Sequence, residues 1–298
     1  MGPENLIALA LQLSITLMVF GLGLRVSPRD TLQLLRQPRL LLRSVFSINV
    51  FMPLFAAALV ASFDLHPPVK IALVLLSVSP VPPLLPLKVL RSAKDSSYVF
   101  SLLITEAVLA IVLVPASVAV FEKVSGARAH SSPLEIGIVV LVSVLGPIGA
   151  AMLVRQVNMA RAERMAKPLL RVAAVLLGCS LIPILVIAMP AIISLIGDGT
   201  LAALAAFVLA GLGAGHLLGG PEPGPRFVLA ISTASRHPGV ALAVATANFP
   251  GEKFVLATLL LYLIVNAIVT LPYLLWQSRH LPSSVQQMPL LNKNQARL

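Results

Sequence analysis

Two ionisable side chains lie well inside apolar stretches of this 298-residue sequence. Glu106 follows Ser101-Leu102-Leu103-Ile104-Thr105, and Arg236 stands in Ser232-Thr233-Ala234-Ser235-Arg236-His237-Pro238-Gly239. An ionisable group at membrane depth costs about 3 kcal/mol or more, so it faces a polar cavity or a partner. Three roles compete for Arg236: an ion pair with Glu106, recognition of an anionic substrate, or snorkelling to the headgroups. Snorkelling needs a position near a helix end, and Arg236 is far from both ends of its stretch. A cavity-facing guanidinium suits a carboxylate and excludes cations, so a small organic anion is the expected substrate.

The neighbouring polar residues complete a candidate binding set. Ser232, Thr233 and Ser235 offer hydroxyls, and His237 offers hydrogen bonds or, because its ordinary pKa is about 6.5, proton relay. Ser101 and Thr105 are four apart and share one helix face. They either line the cavity, with Glu106 as a residual sodium site, or bond their own helix backbone. Asn49, before Met52-Pro53, is a weaker candidate for a polar contact to the same region. His216, in a Gly-rich apolar stretch, reads as a packing residue. No His-x-x-x-His or Gly-x-Ser-x-Gly pattern falls in an apolar stretch, so no catalytic residue and no cofactor are expected. Whether sodium or a proton serves as coupling ion stays open.

Long helices must position these residues. The chain is 58% hydrophobic and 11% charged, against roughly one-quarter charged for soluble domains. Apolar stretches near 5–25, 39–62, 69–90, 97–121, 134–154, 168–196, 200–219, 226–248 and 254–276 are each long enough to cross a hydrocarbon core roughly 30 Å thick. The fold class expected is an all-α polytopic membrane protein of about nine spans, with 1–278 as one transporter unit and 279–298 as a disordered cytoplasmic tail. The net charge of +11 does not gather on a soluble face, so no nucleic-acid partner is expected; the bilayer is the partner. Basic residues cluster in alternate connections, as with Arg25 to Arg43, Lys88 to Lys94 and Arg155 to Arg171. That asymmetry puts the N-terminus outside and the C-terminus in the cytoplasm of a plasma membrane.

Two of the nine spans are interrupted. Ser79-Pro80-Val81-Pro82-Pro83-Leu84-Leu85-Pro86 removes four backbone donors from the third, and the polar run ending in Pro238-Gly239 breaks the eighth. Freed backbone groups at membrane depth need protein or a water-lined cavity. The offset of five spans is odd, so a second copy of any repeat runs in the opposite direction. That is the arrangement of inverted-repeat transporters whose sites form where broken helices meet.

Gly21-Leu22-Gly23-Leu24 before a basic loop, Met52-Pro53-Leu54, the broken third span followed by Lys94-Asp95, and Arg236-His237-Pro238-Gly239 with Asn248-Phe249-Pro250 together resemble the bile acid:sodium symporter family over nearly the whole chain. The resemblance implies interleaved panel and core subdomains, two broken helices crossing in the core, and sodium-coupled uptake of organic anions. The chain looks like the nine-span form of the family. Where the family's second broken helix presents a Glu and, four residues later, a Gln to sodium, this sequence has Ser232 and Arg236. The family's Gly-Gly and Ser-Asn pairs in the first broken helix align with Val81-Pro82 and Leu85-Pro86. Arg236, with Glu106 near it, is therefore expected to stand in for one bound cation. The leading expectation is a secondary transporter; the alternatives are a channel or sensor of the same fold, or an intramembrane enzyme.

Overall fold

The computed structural model describes residues 3–26, 34–82, 96–125, 135, 137–138, 141–249, 251–252 and 254–280. Its elements are helical. Helix α1 covers Pro3–Gly23, α2 Pro38–Ser62, α3 Pro67–Val78, α4 Ser96–Ser125, α5 Gly146–Val157 and α6 Met159–Ser194. Helix α7 covers Thr200–Leu218, α8 Pro223–Ala234, α9 Pro238–Asn248 and α10 Val255–His280. Proline sits in the first turn of α2, α3, α8 and α9, where its missing N–H is one that no helix would use.

Among the described residues, six helical stretches are long and apolar enough to cross a bilayer: Pro38–Ser62, Tyr98–Ser117, Met159–Ser194, Thr200–Leu218, Pro223–Asn248 and Val255–Gln277. Leu9–Gly23 and Pro67–Val78 are shorter apolar helices. Each expected span meets helix, but a count of nine crossings is not reached from the described residues. Pro83, Pro86 and the tail after His280 lie outside them. Val172, Val175, Ile182, Val186, Ile187 and Ile193 of α6 are all exposed, a continuous apolar surface suited to lipid and unsuited to water.

The packing falls into two bodies of contact. Met18, Leu22, Leu170 and Ala173 join α1 to α6, and Val19 meets Val144 and Ile148 beside α5. A larger cluster containing Ile48, Leu76, Phe207, Phe227, Val240 and Tyr262 unites α2, α3 and α7 to α10. Helix α4 touches both, through Phe100 and Leu103 on one face and Val99 and Leu102 on the other.

Lipid tails are as apolar as leucine, so helices in a bilayer associate by close packing and not by escape from water. Small residues mark where that matters. Gly211 and Gly215 of α7, with Gly219 at its C-cap, form one stripe; a Cβ added at the first two would lie 2.7 and 2.5 Å from backbone atoms of Ala234 and Ala230, and one at the third would meet the Arg226 backbone. Helices α7 and α8 thus touch backbone to backbone. Gly23 does the same for α1, since its Cβ would stand 2.7 Å from that of Ala151. The His216 ring, on α7, bonds the Tyr273 hydroxyl at 2.8 Å, in keeping with a packing role.

Candidate functional site

Pro238 causes the break in the eighth apolar stretch. In a continuous helix its amide would bond the carbonyl of Ala234, and proline has no hydrogen to give. The residue before proline is also pushed out of the helical region, and Ser235 and His237 are both extended. The break leaves a carbonyl at Ala234 and an amide at Arg236. The Tyr262 hydroxyl answers both, accepting from the Arg236 N–H at 2.7 Å and donating to the Ala234 carbonyl at 3.0 Å. Asn266, one turn along α10, donates to the same carbonyl at 3.0 Å and accepts from the Ser235 hydroxyl at 3.4 Å.

The third apolar stretch stops in the same manner. Helix α3 ends at Val78, and Ser79, before Pro80, is extended. The two interruptions then meet. The His237 amide donates to the Pro80 carbonyl at 3.0 Å, and Arg236 Nη1 donates to the Ser79 carbonyl at 3.3 Å. Backbone freed in one span is satisfied by backbone freed in the other, the condition for irregular chain at membrane depth.

The third partner of Arg236 comes from α2. Residues Phe46–Phe51 form a π turn, and in that register the amide that would close on the Ile48 carbonyl belongs to Pro53. That carbonyl instead accepts from Arg236 Nη2 at 2.7 Å. Ser47 of the same turn shares a 2.9 Å bond with Thr233 of α8. Asn49 turns the other way and donates its amide to both carboxylate oxygens of Glu106, at 3.1 and 2.8 Å.

Several expected roles change on this geometry. Glu106 makes no ion pair with Arg236 within 4.0 Å among the described residues; the bridges formed there are His66–Asp198, Lys70–Asp64 and Arg155–Glu163. One turn of α2 lies between the two charges, with Ile48 serving Arg236 and Asn49 serving Glu106. Among the described residues Asn49 therefore hydrogen-bonds Glu106 and not a broken helix. Ser101 accepts from the Leu34 amide at 2.8 Å, which ties its hydroxyl to the 34–36 turn. Thr105 is half-buried on α4, and Ser232 is fully buried with no partner for its hydroxyl among the described residues. Tyr262, Asn266, Ser47 and Ile48 were not evident as site residues. Asn266 and Tyr262, polar groups four apart in the last apolar stretch, were the available signal; a main-chain carbonyl such as that of Ile48 leaves none.

A cavity of about 320 Å³ opens beside the second break. Its walls are Leu11, Ile15 and Met18 of α1, Leu177, Leu181 and Ile184 of α6, and Leu256, Leu259, Leu260 and Leu263 of α10. Its polar end is Ser235, Arg236, His237, Tyr262 and Asn266, with Pro82, Pro238 and Gly239 completing it. Glu106, Asn49, Ser101, Thr105, Ser232 and Thr233 do not line this space. His237 Nδ1 accepts from the Val240 amide at 3.3 Å and so caps α9, while its Nε2 and the Arg236 Nε are buried without a hydrogen-bond partner among the described residues. Arg236 is 1% exposed. A guanidinium, a ring nitrogen and the N-terminus of α9 thus gather at one end of an apolar crevice, an arrangement favourable to negative charge.

A sodium ion does not fit at Arg236. Carbonyls of Ser79 and Ile48 are the kind of hard oxygen such an ion takes, but the guanidinium already occupies both, and its fixed charge would repel a cation at close range.

A family model described as Sodium Bile acid symporter family matches residues 12–198, more than half of the chain. The match runs from α1 to just beyond α6 and includes the first break; the second break lies past its end. A search of curated proteins finds no match.

Proposed function

The chain belongs to the sodium bile acid symporter family, a family of membrane transporters, and we propose that it carries a small organic anion across the membrane by alternating access. The observation that supports this most is the joining of the two interrupted spans, main chain to main chain, beside a crevice with a positive polar end. In this reading the anionic group sits against Ser235, His237 and the start of α9. The apolar body lies along the leucines of α1, α6 and α10.

Arg236 contributes as a fixed charge. Each of its two terminal nitrogens already donates to a carbonyl, which fixes the guanidinium in place and leaves its remaining N–H groups, Nε–H among them, for an anion. The charge acts without reorganisation, through a site largely shielded from water. Helices α1, α5 and α6 serve as the panel and the remaining helices as the core, and rocking of one against the other would open the crevice to either side. Nine spans in inverted repeats, an outside N-terminus and a plasma-membrane location belong to the same reading.

Because Arg236 supplies the positive charge, the transport is taken to need no sodium at that place. The test is uptake of labelled taurocholate and labelled small carboxylates into proteoliposomes, in sodium and in choline buffers. Saturable uptake that is equal in both supports the reading. Uptake that collapses without sodium refutes the role given to Arg236, and unsaturable flux points to a channel.

A further inference from the structure

Glu106 is the one buried acidic residue among those described, 1% exposed and enclosed in α4. Among the described residues its carboxyl group touches no cation within 4.0 Å, and its hydrogen-bond partner is the neutral amide of Asn49. It lies outside the crevice where the anion is placed. Among the described residues the other ionisable groups around it are Tyr98, whose hydroxyl is engaged by Ser44 at 2.9 Å, and Arg236, which attracts it across the α2 turn. Intramembrane carboxyl groups that face the protein interior mark ion and proton pathways.

We propose that Glu106 is the proton-binding site that couples anion transport to a proton gradient, an inference that rests on the transporter reading above. The physical link is charge balance across the π turn. With Glu106 ionised, its negative charge offsets that of Arg236 through the Ile48–Asn49 turn. When a proton adds to a carboxylate oxygen, that charge is gone, and Arg236 and the start of α9 are left as uncompensated positive charge facing the crevice. An anion then supplies the missing charge, so proton and anion bind best together and leave together. Asn49 suits both states, because an amide carries a donor and an acceptor. Its NH₂ meets the carboxylate, and rotation brings its oxygen to the new acid O–H.

The experiment is infrared difference spectroscopy of the full chain in lipid as pH is stepped, comparing wild type with Glu106→Gln and Glu106→Asp. The expected result is a titrating carboxylic-acid C=O band in wild type that is lost in Glu106→Gln and returns, displaced, in Glu106→Asp. Identical bands in wild type and Glu106→Gln overturn the proton site while leaving the anion site of the crevice untouched. In proteoliposomes an inward proton gradient should accelerate labelled taurocholate uptake severalfold in wild type and not in Glu106→Gln. Equal acceleration in both overturns the coupling. Absence of any taurocholate uptake counts against the transporter reading for that anion and is separable from the infrared result, which needs no substrate.

Discussion

The amide of His237 donates to the carbonyl of Pro80 at 3.0 Å, which makes the second interrupted span a main-chain partner of the first. The residues on either side extend the junction. Arg236 reaches Ser79 and Ile48, and Tyr262 holds the Arg236 amide from behind. The polar end of the crevice is therefore a network of few, highly shared groups, and single substitutions in it should have separable effects.

Arg236→Gln should abolish organic-anion uptake, because it removes the positive charge while leaving a shorter donor near the same carbonyls. Stability should fall by about 1–3 kcal/mol, the range for losing hydrogen bonds from a charged group to buried acceptors. Arg236→Lys should keep part of the uptake. Proteoliposome uptake together with thermal unfolding in detergent separates the two effects; normal uptake by Arg236→Gln would mean that the charge plays no part.

Tyr262→Phe removes one hydroxyl that serves two backbone groups. The Ala234 carbonyl keeps Asn266, but the Arg236 amide is left buried without its partner. A loss of about 1–3 kcal/mol follows, read as a lower melting temperature. Asn266→Ala should cost less, since Tyr262 still covers Ala234; the reverse order would show that the hydroxyl is dispensable.

Gly215→Ala should be far more damaging than Gly213→Ala on the same helix. The added Cβ at 215 would sit 2.5 Å from the Ala230 Cα, whereas at 213 nothing lies within 4 Å. Forcing α7 from α8 costs about 1–3 kcal/mol, and the 213 change is neutral or slightly stabilising because alanine favours helix over glycine. Thermal unfolding of the pair checks this directly.

Ile15→Trp places bulk in the crevice from the α1 wall, opposite Gly239, whose Cβ would be 3.7 Å from the Ile15 Cδ1. Uptake should be lost with the fold intact, because the new ring fills space and displaces no hydrogen-bonded group. Retained uptake would place the substrate path elsewhere.

Much of this was legible from residue types alone. Length and apolarity of the stretches dictated membrane helices, and Pro80, Pro82 and Pro238 dictated where two of them must stop, because a missing N–H acts locally whatever surrounds it. The charges of Glu106 and Arg236 marked the interior for the same local reason. What no spacing revealed was which freed group each charge would answer. That the Arg236 guanidinium goes to the carbonyls of Ile48 and Ser79, and Glu106 to Asn49, depends on four stretches distant in sequence coming together. Main-chain carbonyls are identical at every position and carry no sequence signal, and a hydroxyl such as Ser101 can serve any donor within reach. Its capture by the Leu34 amide, like the gathering of α1, α6, α9 and α10 around one crevice, was decided by tertiary packing.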